Sequence, residues 1–315
     1  MRITVLDAAT LGADLDLSPL EKLGELVVYQ TTEAAEAAAR LADTDVAVIN
    51  KIRVNEENLK GNTRLKMIGE CATGFDNIDL GACRAHGIAV ANVRGYSTDS
   101  VAQLTLAMAL SLATNLSAFS RYVAAGAYSM GGVANCLTPV FHELAGKTWG
   151  IVGYGHIGAK VGEVARAMGC RVLAFSKTRK DGVENTDLET LCRLSDVISV
   201  HLPLSPETRG IIGEKEIGMM KQDTIFINVA RGAVTDEQAL AKAVVEGRLG
   251  GLGVDVYSVE PFPVTHPFYA VRDHERVCFT PHMAWGAFEA RSRCLSEIAE
   301  NIRAFLNGER RNRVD

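Results

Sequence analysis

The sequence predicts an α/β protein with two doubly wound parallel sheets, and three observations carry that prediction. Short β-branched runs bounded by Gly, Asp or Asn alternate with stretches of helical spacing along the whole chain, the pattern of parallel strands joined by crossover helices. The alternation comes in two series, separated near Ser100 by a long Ala/Leu-rich stretch. The chain has 315 residues; at about 150 residues per domain that gives two domains, with roughly 75% of the extended chain's surface buried on folding.

In the first series the expected strands are Ile3 to Leu6, Leu26 to Tyr29, Val46 to Ile49, Lys66 to Gly69 and Ile88 to Val93. Ser18-Pro19 reads as an N-cap followed by proline at the first helical position. From Val101 to about Ala125 a single long helix is expected, apolar on most faces and therefore covered on several sides. Six strands follow, at Trp149 to Gly153, Arg171 to Phe175, Val197 to His201, Thr224 to Val229, Gly251 to Tyr257 and Val277 to Thr280. Thr186-Asp187-Leu188-Glu189 reads as a capping box and Thr235-Asp236-Glu237 as a second helix start. An amphipathic helix closes the chain from Phe288 to Leu306, with Leu295, Ile298, Ile302 and Phe305 on one face and Asn307-Gly308 as its stop.

Composition excludes several classes. The 33 basic and 38 acidic side chains give a net charge of −5, and no Lys/Arg-rich block is present, so neither nucleic acid nor a membrane surface is an expected partner. No apolar run approaches the ~20 residues of a membrane span, and the N-terminus shows no targeting pattern. The seven cysteines are scattered without a C-x-x-C pair; reduced, mostly buried thiols and a cytoplasmic location are expected. No His/Cys/carboxylate set has metal-ligand spacing.

The strongest local signal is the apolar run ending in Gly153-Tyr154-Gly155-His156-Ile157-Gly158. Gly153 permits a tight turn, Gly155 lets the backbone approach a pyrophosphate, and Gly158 lets the following helix pack on the strand, with its N-terminus facing the anion. In that helix Val161, Val164 and Met168 are expected on one face, and Gly169 stops it. The next strand ends at Ser176, where NAD-binding proteins carry an Asp or Glu for the ribose hydroxyls. Lys177, Thr178 and Arg179 follow, two cations and a hydroxyl where a 2′-phosphate would lie, which favours NADP(H) over NAD(H). A solvated basic turn that accepts either cofactor is the alternative.

Three charged residues follow three successive expected strands: Arg231, Glu260 and His282. In a doubly wound sheet those strand ends border the ligand crevice. Their types divide the work of reducing a 2-oxo acid. Arg231 would grip the carboxylate as a bidentate pair, His282 would donate the proton, and Glu260 would bond the other ring nitrogen and favour the imidazolium. His86, His142, His266 and His274 read as loop or packing residues, whereas His156 and His201 would line the cofactor without reacting.

With these residues in place the chain resembles the D-isomer-specific 2-hydroxyacid dehydrogenases over essentially its whole length. The motifs are the glycine turn, His201-Leu202-Pro203-Leu204-Ser205-Pro206-Glu207-Thr208-Arg209-Gly210, Asn228-Val229-Ala230-Arg231-Gly232, Asp255-Val256-Tyr257-Ser258-Val259-Glu260-Pro261 and Thr280-Pro281-His282-Met283-Ala284-Trp285. The resemblance implies a Rossmann nucleotide domain, 99–286, inserted into a flavodoxin-like split substrate domain, 1–98 with 287–315. It implies that His201, Leu202, Pro203, Thr208, Val229, Ala230, Arg231 and His282 lie along the cofactor and that Asp255 contacts the nicotinamide side. It also implies that backbone amides at Thr73 and Gly74 hold the substrate carboxylate, and that the helix from Val101 forms a homodimer interface. Ser176 is the chief departure.

Within the family, Cys71 to Asp79, Tyr96 to Gln103 and His282 to Trp285 resemble bacterial glycerate dehydrogenases, also called hydroxypyruvate reductases, which points to hydroxypyruvate or glyoxylate as substrate. Trp285 would either wall the pocket or pack the hinge, and Lys51 would either touch a polar substrate or remain a surface lysine. Two alternatives stand beside this reading: a dinucleotide-sensing, corepressor-like binding protein, for which Asn307 to Asp315 leaves little tail, and a phosphoglycerate-type dehydrogenase.

Overall fold

The computed structural model describes residues 1–315. Its contacts divide the chain into two compact units, Met1–Ser97 with Trp285–Asp315, and Thr98–Ala284. In the first 97 residues β1 (Arg2–Val5), β2 (Glu25–Val28), β3 (Val46–Ile49), β4 (Met67–Glu70) and β5 (Ala89–Ala91) alternate with α1 (Ser18–Glu21), α2 (Ala34–Ala42), α3 (Glu56–Leu59) and α4 (Leu80–Ala85). All neighbouring strands pair in parallel, in the order β2-β1-β3-β4-β5, the flavodoxin-like doubly wound order. Ser18 is the first helical residue of α1 and not its cap; the Asp16 carboxylate takes both the Ser18 N–H, at 2.9 Å, and its hydroxyl, at 2.8 Å.

The second unit opens with α5 (Thr98–Ala113), α6 (Leu116–Ala124) and α7 (Ala127–Met130). The single long helix expected here is broken: Asn115 takes a left-handed φ of 52° and the two segments bend by 65°, a conformation that Asn accepts more readily than most residues. Within one chain, α5 packs on the helix His156–Ala167 and on the sheet, whereas α6 is left uncovered. Val101, Ala102, Thr105, Met108, Ala109 and Leu112 form the buried face of α5, and α6 buries no residue within the chain. That face fits against strand β11 (Gly251–Val254) because Gly251 and Gly253 are bare; a Cβ there would lie 3.1 Å from Leu112 and 3.2 Å from Met108 Sδ.

The remaining elements are β6 (Thr148–Val152), α8 (His156–Ala167), β7 (Arg171–Phe175), β8 (Glu184–Asn185), α9 (Leu188–Leu194), β9 (Val197–Val200), α10 (Glu214–Met219), β10 (Ile225–Asn228), α11 (Glu237–Val245) and β12 (Val277–Phe279). The sheet has seven parallel strands and not six, in the order β12-β11-β10-β9-β6-β7-β8. Strand β8 is two polar residues without a β-branched run, joined to β7 by an Arg171–Glu184 ion pair of 2.5 Å. Strand β11 stops at Val254, earlier than expected, where Asp255 turns to serve the loop after β12. The cap of α9 is Asp187, accepting from Thr190 N at 2.8 Å, so the expected box at Thr186 does not form. On α8 the buried positions are Gly158, Val161, Gly162 and Ala165; Val164 and Met168 are half-buried.

The terminal helix α12 (Phe288–Leu306) returns to the first unit, where Leu295, Ile298 and Ile302 pack with Ile3, Val5, Val48 and Met67. Ile298 closes directly on β4, since a Cβ at Gly69 would sit 3.3 Å from it. The residues beyond it, expected as a short tail, pair with β5: Ala91 bridges Arg313 antiparallel and Val314 N donates to Val90 O at 2.9 Å. No single helix is long and apolar enough to cross a membrane; α5 and α6 pass that test only together, as a bent pair.

Candidate active site

The glycine turn and the strand ends after β7, β9, β10, β11 and β12 belong to the second unit. Strand β6 runs into Gly153, whose φ of +101° and close neighbours both exclude a side chain; a Cβ would meet the His201 carbonyl carbon at 2.8 Å. A Cβ on Gly158 would lie 2.2 Å from the Gly153 carbonyl oxygen, so α8 sits directly on the turn. Gly155, the N-cap of α8, has nothing within 4 Å of the position a Cβ would take. His156 is exposed as the first helical residue and Ile157 is half-buried. One open and two closed glycines at the N-terminus of a twelve-residue helix form a cradle for an anion.

After β7, the Ser176 hydroxyl donates to Thr178 O at 2.6 Å and so shapes its own turn, with Lys177, Thr178 and Arg179 exposed. A pocket of about 450 Å³ opens beside it, lined by Ala174, Ser176, Arg179, Asn185, Thr186 and Asp187. The Asp187 oxygens are taken by the Thr190 N–H and hydroxyl.

After β9, burial pushes the His201 imidazole down to about 3, so the ring is neutral. Its Nε2 lies 3.0 Å from Ser199 Oγ, which also receives the Trp149 indole N–H, and its Nδ1 is sequestered without a protein partner. Leu202 packs on the core, and the Thr208 hydroxyl, bonded to Pro203 O at 2.6 Å and Ser205 N at 2.8 Å, shapes the loop. The open cradle at Gly155 and the orphaned His201 nitrogen fit a dinucleotide laid across this edge.

Three adjacent strands, β10, β11 and β12, supply the charged residues. Asn228 brackets the first turn: its Oδ1 accepts Ala230 N at 3.0 Å and its Nδ2 donates to Arg231 O at 2.9 Å. Val229 and Ala230 are buried, and Arg231 is half-buried with a 2.9 Å bond to Ala230 O. Asp255, fully buried, accepts Thr280 Oγ1 at 2.6 Å, Met283 N at 2.8 Å and Ala284 N at 2.9 Å. Burial raises its carboxyl above the usual range, against the pull of those hydrogen bonds and of His282. It thereby anchors the loop in which His282 takes a left-handed φ of 53°. His282 Nδ1 meets Glu260 Oε2 at 2.5 Å, and Tyr257 N donates to Glu260 Oε1 at 2.9 Å.

Of the residues singled out in the sequence, Glu260 and His282 are in direct contact. The Arg231 turn reaches their loop through Gly232, where a Cβ would lie 2.1 Å from Ser258 N. Asn228 and Gly232 escaped the sequence reading as working residues; the available signal was a lone amide ending an apolar strand and a glycine directly after the arginine. Thr73, Gly74, Lys51 and Trp285 lie in the other unit. Thr73 Oγ1 donates to Val93 O at 2.8 Å, the Lys51 N–H to Asp7 at 2.6 Å, and Trp285 packs half-buried against that unit's core.

An anion cradle under one half of a parallel sheet edge and a carboxylate-held imidazole under the other are what a nicotinamide-dependent oxidoreductase needs. Residues 106–284 match the profile described as D-isomer specific 2-hydroxyacid dehydrogenase, NAD binding domain. A hydroxypyruvate reductase from Blautia hydrogenotrophica is 34% identical over 98% of this chain and 98% of its own. Among solved structures, an acyclic imino acid reductase in complex with NADPH and D-Arg superposes with a TM-score of 0.88 at 28% identity, covering 100% of both chains. D-lactate dehydrogenase from Aquifex aeolicus, complexed with NAD and lactic acid, gives 0.86 at 28% identity, covering 98% of this chain and 96% of its own. The chain belongs to the D-isomer specific 2-hydroxyacid dehydrogenase family.

Proposed function

We propose that the protein reduces a small 2-oxo acid, hydroxypyruvate or glyoxylate, to the D-2-hydroxy acid, and that Arg231, Glu260 and His282 carry the reaction. The 2.5 Å contact between His282 Nδ1 and Glu260 is the observation that carries this reading. It turns the ring so that Nε2 is the nitrogen presented to a substrate carbonyl oxygen, to which it gives a proton. Arg231 holds the carboxylate through paired N–H donors and so orients the adjacent carbonyl. A bound nicotinamide supplies the hydride equivalent that completes the reduction.

Gly153, Gly155 and Gly158 would hold the pyrophosphate, and His201 Nδ1 is a buried polar atom left without a protein partner beside that turn. NADPH is the proposed preference, supported by the missing carboxylate at Ser176 and by Arg179 in the adjoining pocket. The exposed apolar surface of α6 and the segment after it supports a homodimer.

A panel of 2-oxo acids assayed against NADH and NADPH, with product chirality determined, tests this directly. We expect turnover of hydroxypyruvate or glyoxylate to a D-product, lost by about a hundredfold or more in His282→Ala and Arg231→Ala. Arg179→Ala should raise KM for NADPH about tenfold and leave NADH unchanged. No turnover with either cofactor across the panel would sink the reductase reading, and a clear preference for NADH would sink the cofactor assignment alone.

A further inference from the structure

The loop that carries Glu260 is held from behind by a buried polar cluster that takes no part in the chemistry above. Glu237, the first residue of α11, is 8% exposed. Its carboxylate accepts three donors: Ser258 N at 2.8 Å, the Ser258 hydroxyl, and His266 Nε2 at 2.9 Å. His266, classed from the sequence with the packing residues, is 7% exposed. Phe268 N donates to its Nδ1 at 3.2 Å, so Nδ1 is the bare nitrogen and Nε2 carries the proton given to Glu237. The rings of Tyr257, Phe262 and Phe268 surround the imidazole at 6.2, 5.1 and 5.3 Å between centroids.

A buried carboxylate is costly unless its lone pairs are met, and one that is met by three convergent donors admits a single local geometry. The geometry fixed here is that of two consecutive peptide units. Ser258 gives its N–H to Glu237, and Tyr257 gives its N–H to Glu260. On its other face the same backbone backs the Arg231 turn, with only Gly232 thin enough to pass; a Cβ would lie 2.1 Å from both Ser258 N and the Tyr257 carbonyl carbon. Displacing Tyr257–Ser258 would therefore loosen Glu260 and the arginine turn together.

We propose that Glu237 and His266 are positioning residues for this enzyme, clamping the Tyr257–Ser258 backbone so that Glu260 stays on His282 and the Arg231 turn keeps its support. The role rests on the reductase assignment of those three residues. Small displacements behind a reacting group are expensive in kcat and cheap in cofactor binding.

The test compares Glu237→Gln, Ser258→Ala, Glu260→Gln and the Glu237→Gln/Glu260→Gln double variant. Glu237→Gln keeps shape but turns one acceptor into a donor facing donors. It should lower kcat about tenfold with KM for the cofactor within about twofold. If Glu237 acts through Glu260, the double variant should be no slower than Glu260→Gln alone, within about twofold. An independent readout is the NMR signal of the His282 Nδ1 proton, which the short contact with Glu260 places far downfield and which we expect to weaken or move in Glu237→Gln. Ser258→Ala removes one donor of the three and should shift both readouts in the same direction by less; it decides the matter if Glu237→Gln does not fold. A folded Glu237→Gln with unchanged signal and kcat, or losses that multiply in the double variant, would overturn the clamp. If the wild type turns over no 2-oxo acid the reductase reading falls, while the His282 signal still upholds or overturns the clamp.

Discussion

Glu70, the one ionisable side chain in β4, has no solvent exposure; one carboxyl oxygen takes Asn77 Nδ2 at 3.1 Å and the other has no partner. Burial, and secondarily the nearby Asp7, hold its carboxyl well above the ordinary 4.5, against the opposing bond from Asn77. Asp7 is raised as well, by its own burial, although the N–H groups of Lys51 and Asn50 pull it down. The consequence for stability has a definite sign. Above the unfolded value of 4.5 the native state holds a proton that the unfolded chain has released, so the group's contribution is fully present at low pH and declines as pH rises. Glu70→Gln keeps the neutral shape without a titration. It should therefore be more stable than the wild type at pH about 8, with the advantage shrinking as pH falls and gone below about pH 4. Urea unfolding across that range measures it, and a difference independent of pH would contradict the protonated state of Glu70.

At the scale of elements, α12 and the residues after it are stitched to the first unit by carboxylates with the opposite behaviour. Arg291 on α12 grips Asp14 with two bonds, of 2.6 and 2.8 Å, and holds it down to about 2. Asp315 also sits at about 2: burial pushes it up, but Arg313 and the Val90 N–H outweigh that. Because both lie below their usual 3.8, the stability they contribute is present above about pH 4 and lost as pH falls toward 2. We expect Asp315→Asn and Asp14→Asn each to destabilise at neutral pH and to flatten the acid limb of the unfolding curve. About 1 M salt should erase most of the effect at exposed Asp14 and little of that at Asp315; equal salt sensitivity would refute the distinction. These ties also show where the sequence was readable. Regular apolar runs such as Val46–Ile49 and the α12 stripe announce themselves by period, because burial on a face writes the pattern. Strand β8 is two polar residues, the antiparallel bridge of Arg313 to Ala91 rests on a few backbone bonds and the Asp315 carboxylate on Val90 N, and the break at Asn115 depends on one φ angle. None of these leaves a periodic trace. The same holds in the site: Arg231, Glu260 and His282 each follow an expected strand, whereas Glu237 and His266 stand 29 residues apart and meet only through the fold.

At the scale of the whole molecule, the apolar surface left uncovered by the chain has to be accounted for. From Leu116 to Phe141 eight large side chains stand exposed: Leu116 at 61%, Val123 at 57%, Tyr128 at 42%, Met130 at 80%, Val133 at 64%, Leu137 at 70%, Val140 at 71% and Phe141 at 48%. Scattered singly such residues need no explanation, but a concentration within one segment is the mark of an interface. The break at Asn115 turns α6 away from the line of α5, whose own buried face packs on β11. Each copy carries the same segment, so a two-fold pairing of identical patches satisfies both copies and leaves no apolar face open to a third. The protein should therefore sediment at twice 33.8 kDa. Leu116→Asp with Val123→Asp should shift it to the monomer mass, because a carboxylate buried in a paired apolar patch has no partner to meet its charge. Far-ultraviolet circular dichroism of the variant should stay that of the wild type, since neither residue is buried within its own chain. A wild type that remains monomeric at micromolar concentration, or a doubly substituted chain that remains dimeric, would place the interface elsewhere.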